Sequence, residues 1–270
     1  MLKLILNFII AVIVTYVFIN LVSFLGSFIN KINYANKLNY LLQDDIYIIS
    51  DYKCSCYKSF GFLIYKCNNC KVKNLINFED FDEVMSMLQR INIKKRLNLI
   101  IHTEGGESCC ADAISYLFTN QNLDVHTNVP QYAQSAGTML ALCGKKIHCN
   151  WYSLFSPVDS QLEYVTGGDD NETEITFSAK HLQNITNKEH NLDKLQGLEA
   201  KDHHNEDKYL LNRILKDNSN KEEIVKKLVN SNFSHEFNIT YHDMKKMGLP
   251  VDLNISPKIN VIFNLFKKLN

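Results

Sequence analysis

The sequence predicts an α/β fold built around a largely parallel sheet. Three observations support this. Short β-branched or apolar runs alternate with helical patterns from Leu97 to Asn150, as repeated β-α-β units require. One of the runs, "LNLIIHT", is continuously apolar, which suits a strand covered on both faces. The 270 residues are 46% hydrophobic, enough for one medium core with an appendage.

The appendage comes first. "LKLILNFIIAVIVTYVFINLVSFLGSFI", Leu2 to Ile29, carries a single charge, Lys3. A membrane-crossing helix needs about 20 mostly apolar residues, and this run exceeds that. It also exceeds the roughly 7–15-residue apolar core of a cleaved signal peptide, and no small-residue cleavage site follows. Residues 1–29 are therefore expected to be a transmembrane anchor. Lys31 and Lys37 behind the run favour a cytoplasmic body, since positive flanks tend to stay inside. Residues 30–45 read as a polar, Asn-rich linker.

"IYIIS" (46–50) is a short β-branched strand. The segment after it, "CSCYKSFGFLIYKCNNC", reads as a cysteine-bearing hairpin. Cys54, Cys56, Cys67 and Cys70 place four thiols within 17 residues, a donor set suited to tetrahedral zinc. The C-x-C half departs from the usual C-x2-4-C spacing, so a disulfide-linked or reduced hairpin stands as the alternative. The adjacent pair Cys109–Cys110 fits a reduced compartment better than a disulfide framework.

"NFEDFDEVMSMLQRI" is helical: acidic residues crowd its first turn, and Phe81, Val84, Met85 and Leu88 recur at helical spacing. The strand "LNLIIHT" ends in the turn "EGGE", and "SCCADAISYLFTN" is the next helix. "LDVHTNVP" is a strand closed by Pro130. "SAGTMLALCG" is a helix stopped at Gly144, and "KKIHCN" is another short strand. "SPVDSQLEYVTGGDDNETE" reads as loop, and Phe177 to Leu228 as a long charged helical region. "TYHDMKKMG" reads as a short helix capped by Gly248, with "VDLNI" as a last strand. Residues 256–270 form a tail.

Zero net charge gives no reason to expect nucleic acid as partner. Five N-x-S/T sequons, at Asn171, Asn184, Asn232, Asn238 and Asn254, are discounted in so Asn-rich a chain.

Two places put backbone amides where chemistry can use them. Gly105 and Gly106 follow a strand and precede a helix, where glycine permits a sharp turn and close approach. Ser135 starts another helix, whose first amides point outward at the positive dipole end. A nucleophile there, facing the Gly-Gly turn, would have an oxyanion hole made of Ala136 and the turn. The pattern alone leaves the alternative open that Ser135 is an ordinary N-cap and Gly-Gly an ordinary turn.

"LIIHTEGGES", then "VPQYAQSAGTMLALCGKKI", then "SLFSPVDSQL" resemble, in order, the motifs of the serine dehydrogenase proteinase family, related to Clp protease and signal peptide peptidase A. "SHEFNITYHDMKKMGLPV" is similar to its C-terminal stretch, where a His-Asp pair recurs. The resemblance spans roughly Ile46 to Leu253 outside the cysteine segment. It implies a ClpP/crotonase-like repeated ββα core over 46–255, with a Cys-rich insert at 51–72. It implies Ser135 as nucleophile, and Gly105, Gly106 and Ala136 as the oxyanion hole. It implies a peptidase needing no cofactor for catalysis and working as a homo-oligomer, so zinc on the four cysteines would be structural. With the anchor, peptides or membrane-protein fragments are the expected substrates.

Three residues depart from the pattern: Glu104 replaces a proline, Ser156 a glycine and Ser160 a second proline. They make a catalytically inactive scaffold or binding module the alternative. A crotonase-like acyl-CoA enzyme fits less well, because a serine holds the helix tip. "FSPVDSQ" has no histidine, so a lysine base is expected, as in signal peptide peptidases. Lys188 is the first choice, 188 − 135 = 53 positions after the serine, with Lys180 and Lys208 as further candidates. His203 and His204, in a charged run, are expected to be solvated.

Overall fold

The computed structural model describes residues 15–16, 19–20, 22–27, 29–30, 32–34, 36–37, 41, 46–50, 58–60, 63–65, 75–90, 96–120, 123–166, 173–183, 191–230 and 233–269. The chain divides into two compact units. The smaller comprises Met1–Gln43, Cys54–Val72 and Val261–Asn270. Its described residues between 15 and 41 are helical, including those of the expected 30–45 linker. Among the described residues, no helix is long and apolar enough to cross a membrane. Most of the apolar run expected to be an anchor lies outside them. In the cysteine segment, strands β2 (Lys58–Phe60) and β3 (Leu63–Tyr65) pair antiparallel as the expected hairpin. Cys54, Cys56, Cys67 and Cys70 lie outside the described residues.

The larger unit, Asp44–Lys53 with Lys73–Asn260, holds the parallel sheet. β1 (Ile46–Ser50), β4 (Leu97–His102), β5 (Val125–Val129), β7 (Lys146–Cys149) and β12 (Val251–Asp252) lie side by side in that order, all parallel. In β4 the alternating Leu97, Leu99 and Ile101 join the main core. Ile100 is buried on the other face, which explains the unbroken apolar run from Leu99 to Ile101. Each such side chain contributes about 1.5–3 kcal/mol on burial.

Helix α1 (Phe78–Arg90) begins where Asn77 and Asp80 cap each other: the Asn77 amide donates to Asp80 Oδ2 (3.0 Å) and the Glu79 amide to Asn77 Oδ1 (2.9 Å). Helix α2 (Ser108–Asn120) buries Cys110, Ala111, Ile114 and Phe118 at helical spacing. Helix α3 (Ala136–Leu142) is buried throughout, as its small and apolar sequence dictates.

A second sheet of three very short strands sits at the ends of these elements. β6 (Tyr132–Ala133) pairs parallel with β8 (Leu154–Phe155), and β8 pairs antiparallel with β11 (Ile239–Thr240). The end of β4 joins it, Thr103 bridging Ala133. The two sheets are thus fed in turn by successive segments: β4 with Thr103, then β5 and β6, then β7 and β8.

The structure differs from the expected loop after "SPVD". β9 (Gln161–Thr166) and β10 (Thr173–Ser178) form an antiparallel hairpin, with Leu162 opposite Phe177 and Tyr164 opposite Ile175. Its polar, alternating residues hid a two-stranded ribbon that faces solvent along much of β10. Among the described residues, the helical region after it holds three helices, α4 (Ala179–Leu182), α5 (Asn191–Ile214) and α6 (Lys221–Leu228). Then α7 (Tyr241–Lys246) starts with a Thr240–Asp243 capping box and ends at Gly248, whose φ is +81°. The tail forms helix α8 (Pro257–Leu269).

Candidate active site

Ser135 sits between β6 and α3 with φ 51° and ψ −119°. Among the described residues it is the one non-glycine with positive φ. Such a conformation costs on the order of 1–3 kcal/mol and persists only where the surroundings impose it. A serine on a strained strand-to-helix turn is the geometry of a nucleophile elbow, which exposes the hydroxyl. The N-cap alternative fails on geometry: the Ser135 side chain makes no capping hydrogen bond. Its backbone amide donates instead to Ser156 Oγ at 2.7 Å. Ser156 thus has a structural task where the family pattern has glycine.

The Gly-Gly turn lies against this serine. The Gln134 amide donates to Thr103 O (2.9 Å) and the Thr103 amide to Tyr132 O (3.3 Å), which brings residues 103–106 beside the elbow. A Cβ added to Gly105 would meet Ser135 Cβ at 2.9 Å, on a backbone with φ +131°. A Cβ on Gly106 would strike the backbone nitrogen of Ile76 at 2.3 Å. Neither position admits a side chain.

Of the amides expected to form the oxyanion hole, Gly105 is engaged, donating to Thr103 Oγ1 at 3.1 Å. Around Gly106, the Ile76 amide donates to Gly105 O (2.8 Å) and the Glu107 amide to Ile76 O (2.9 Å). That parallel-bridge pattern turns the Gly106 amide to the opposite side. Ala136 is the first residue of α3, so its amide has no acceptor within the helix. Gly106 and Ala136 are therefore the two amides available to an anion. Glu104 is exposed.

The loop after β8 carries Asp159, whose side chain is wholly buried. Its Oδ1 accepts from His235 Nδ1 at 2.7 Å. Its Oδ2 accepts from Ser178 Oγ at 2.6 Å and lies 3.2 Å from Lys180 Nζ. Burial pushes this carboxyl up. The His235 and Ser178 hydrogen bonds and the Lys180 charge outweigh it and hold the group below the ordinary carboxylate range.

His235 is a residue that sequence reasoning missed. It reaches the site through strand pairing. Ile239 pairs with Phe155 and Phe155 with Ala133. Because β11 runs antiparallel to β8, residues before Ile239 leave the sheet at the same end as those after Phe155 and Ala133. Ser135, Asp159 and His235 therefore lie on segments that leave the small sheet at the same end. The available signal was the "SHEF" stretch with its similarity to a His-bearing family segment. It lies 235 − 159 = 76 residues from its partner, too far for spacing to reveal.

The three lysine candidates for the base stand in different settings. Lys188 lies outside the described residues. Lys180 is buried and donates to the carbonyl of Phe233 at 2.7 Å while facing Asp159. Lys208 follows Asp207 on α5, where its charge acts on His204. His204 is buried, not solvated as expected, and burial pulls its basicity down, with the Lys208 charge adding to it. His203 is partly exposed, 3.5 Å from Glu206.

Ser160 explains a second departure. Its amide and hydroxyl donate to Asp207 at 2.7 and 2.9 Å. A proline there would lack the amide donor. Asp207 is buried, and burial raises it from the ordinary 3.8 to about 6, with the Ser160 bonds working against the rise.

A sequence profile of ClpP-like SDH-type serine proteinases matches residues 60–269. A protein of Methanocaldococcus jannaschii, itself uncharacterized, is 28% identical over 224 residues, covering 77% of this chain and 69% of its own. A second uncharacterized protein of that organism is 23% identical over 215 residues, covering 76% and 66%. Among solved structures, a mutant of a membrane-bound stomatin-specific protease matches with TM-score 0.45 and 15% identity, over 71% of this chain and 76% of that one. With the profile spanning most of the sequence, the chain belongs to the family of ClpP-like SDH-type serine proteinases.

Proposed function

We propose that this chain hydrolyses peptide bonds through an acyl-enzyme on Ser135, with His235 as base and Asp159 as its orienting carboxylate. One observation carries the reading: a serine in a strained elbow shares one sheet end with a buried Asp159 that holds the partly exposed His235 at 2.7 Å. Asp159 takes Nδ1, so Nε2 is the ring nitrogen that receives the serine proton. Ser135 Oγ attacks the substrate carbonyl, and the oxyanion lies on the amides of Gly106 and Ala136. His235 returns its proton to the leaving amine. It then takes one from the water that releases the acyl group. Amides so placed contribute about 3–4 kcal/mol each to the transition state. The chain order serine, aspartate, histidine is that of the α/β-hydrolases.

This assignment replaces the lysine base. A lysine base must give up its proton. Lys180 is instead engaged on both sides, 3.2 Å from Asp159 Oδ2 and donating to the carbonyl of Phe233, two residues before His235. It is a positioning residue that ties the histidine segment to the aspartate.

The reading extends to a homo-oligomer held at a membrane by residues 1–29, acting on peptides or membrane-protein fragments. The length of the apolar run supports an anchor, as do Tyr16, Ile19, Phe24 and Leu25, which expose apolar surface from helical backbone.

The test is fluorophosphonate labelling of the full chain with peptide mapping. Ser135 is expected to label, Ser135→Ala to abolish the adduct, and His235→Gln to slow it strongly. A folded protein that does not label supports the inactive-scaffold reading. Labelling that survives His235→Gln and fails in Lys180→Met restores the lysine base.

A further inference from the structure

Three donor side chains outside the proposed catalytic set converge at the start of α2. Cys110 Sγ lies 3.1 Å from Glu107 Oε2, Cys109 Sγ lies 3.8 Å from the same oxygen, and the two sulfurs are 3.9 Å apart. Among the described residues, this is the one group of three or more His, Cys, Asp or Glu side chains whose donor atoms lie within 4.8 Å of one another. Both cysteines are free thiols. The separations match the edges of a coordination tetrahedron. Zinc binds thiolate at about 2.3 Å and carboxylate oxygen at about 2.0–2.2 Å, which sets sulfurs about 3.8 Å apart and sulfur and oxygen about 3.5 Å apart.

The backbone fixes this convergence. The amides of Cys110 and Ala111 both donate to Glu107 O, and the Glu107 amide is held by Ile76 O, so residue 107 cannot drift from the first turn. Cys110 is buried while Cys109 and Glu107 reach solvent, so a cation could enter from outside and keep a water as its fourth ligand.

We propose that Glu107, Cys109 and Cys110 form a three-donor binding site for a thiophilic divalent cation, zinc. Binding exchanges the two thiol protons for one cation: two S–H bonds break, two Zn–S bonds form, two protons leave, and no electron moves. The site strengthens as pH rises. None of its three donors belongs to the cysteine hairpin. It also adjoins Gly106 in sequence, so occupancy fastens the residue that follows this oxyanion amide.

The test follows each cysteine of the full chain separately. The chelator-stripped protein is alkylated across a buffered zinc series and mapped by mass spectrometry. Zinc is expected to slow alkylation of Cys109, the exposed thiol, by about tenfold or more, because a metal-bound thiolate is a poor nucleophile. Glu107→Gln and Cys110→Ser should each shift that protection to higher zinc. Circular dichroism checks that each variant folds. Unchanged alkylation of Cys109 across the series overturns the proposal, as does protection that persists undiminished in both variants. Protection confined to the hairpin cysteines overturns it too. The readout does not depend on peptidase activity.

Discussion

The five-stranded sheet and the three-stranded sheet are held by different forces. The large sheet is a stack of apolar side chains: Leu99, Ile101, Val129 and Ile147 are fully buried against Phe118, Met139 and Leu140. The small sheet has strands of two residues each; it lends Ala133, Phe155 and Ile239 to that core and is aligned by buried polar bonds. Thr138 Oγ1 donates to Ala133 O (2.8 Å) and Ser156 O (3.0 Å) and accepts from the Ser156 amide (3.2 Å). Ser153 Oγ donates to Val129 O at 2.7 Å. Dispersion and hydrophobic burial are non-directional, so the large sheet supplies stability. Hydrogen bonds are directional, so the small sheet supplies position. The catalytic candidates all hang from the small one.

Substitutions in the two regions should therefore separate activity from stability. His235→Ala is expected to lower kcat by about 10⁴-fold or more while leaving the denaturant midpoint nearly unchanged, since the residue is partly exposed and outside the core. Equal losses of activity and midpoint would remove the distinction. Phe118→Ala should do the reverse. It empties a fully buried site in the large core and costs about 3–5 kcal/mol in urea unfolding, with kcat per folded molecule kept. Thr138→Val, nearly isosteric, leaves the Ser156 amide without this acceptor; it should cost about 1–3 kcal/mol and also reduce kcat.

A smaller effect comes from Asp207. Its carboxyl is pushed up to about 6 by burial, so the folded protein holds this proton more tightly than the unfolded chain. The stability it contributes is fully present below 3.8 and is lost as pH rises through about 6. The loss is on the order of 2–3 kcal/mol. Asp159, held low, runs the other way and loses its contribution only as pH falls. Urea unfolding at about pH 5 and about pH 7 should show a decline in the native chain that Asp207→Asn flattens. An unchanged slope would place the pH dependence elsewhere.

The contrast also governs what the sequence made legible. Periodicity and apolar runs revealed β4, α1, α2 and α3, because elements that build a core must write hydrophobicity at the period of their backbone. Ser135 and the Gly-Gly turn were visible as well, as local turn chemistry. The two-residue strands β6, β8 and β11 carry no period at all. Their pairing, and with it the meeting of Asp159 and His235, exists only in three dimensions. Spacing along the chain after Ser135 points to lysines, Lys188 first, and carries no trace of that meeting. The buried state of Lys180 and His204 was equally hidden, since each lies in a polar run that reads as surface.

Strand β11 arrives late. Ser135 and Asp159 can take their places once the middle of the chain has left the ribosome, but His235 lies 235 − 135 = 100 residues beyond the serine. Until β11 has docked on β8, the elbow and its amides stand without the base proposed for them. Under that mechanism a chain still under synthesis, crowded among other nascent peptides, would lack a complete catalytic set. The set would be completed only with the last strand of the small sheet, so completion of the fold itself would act as the safety catch.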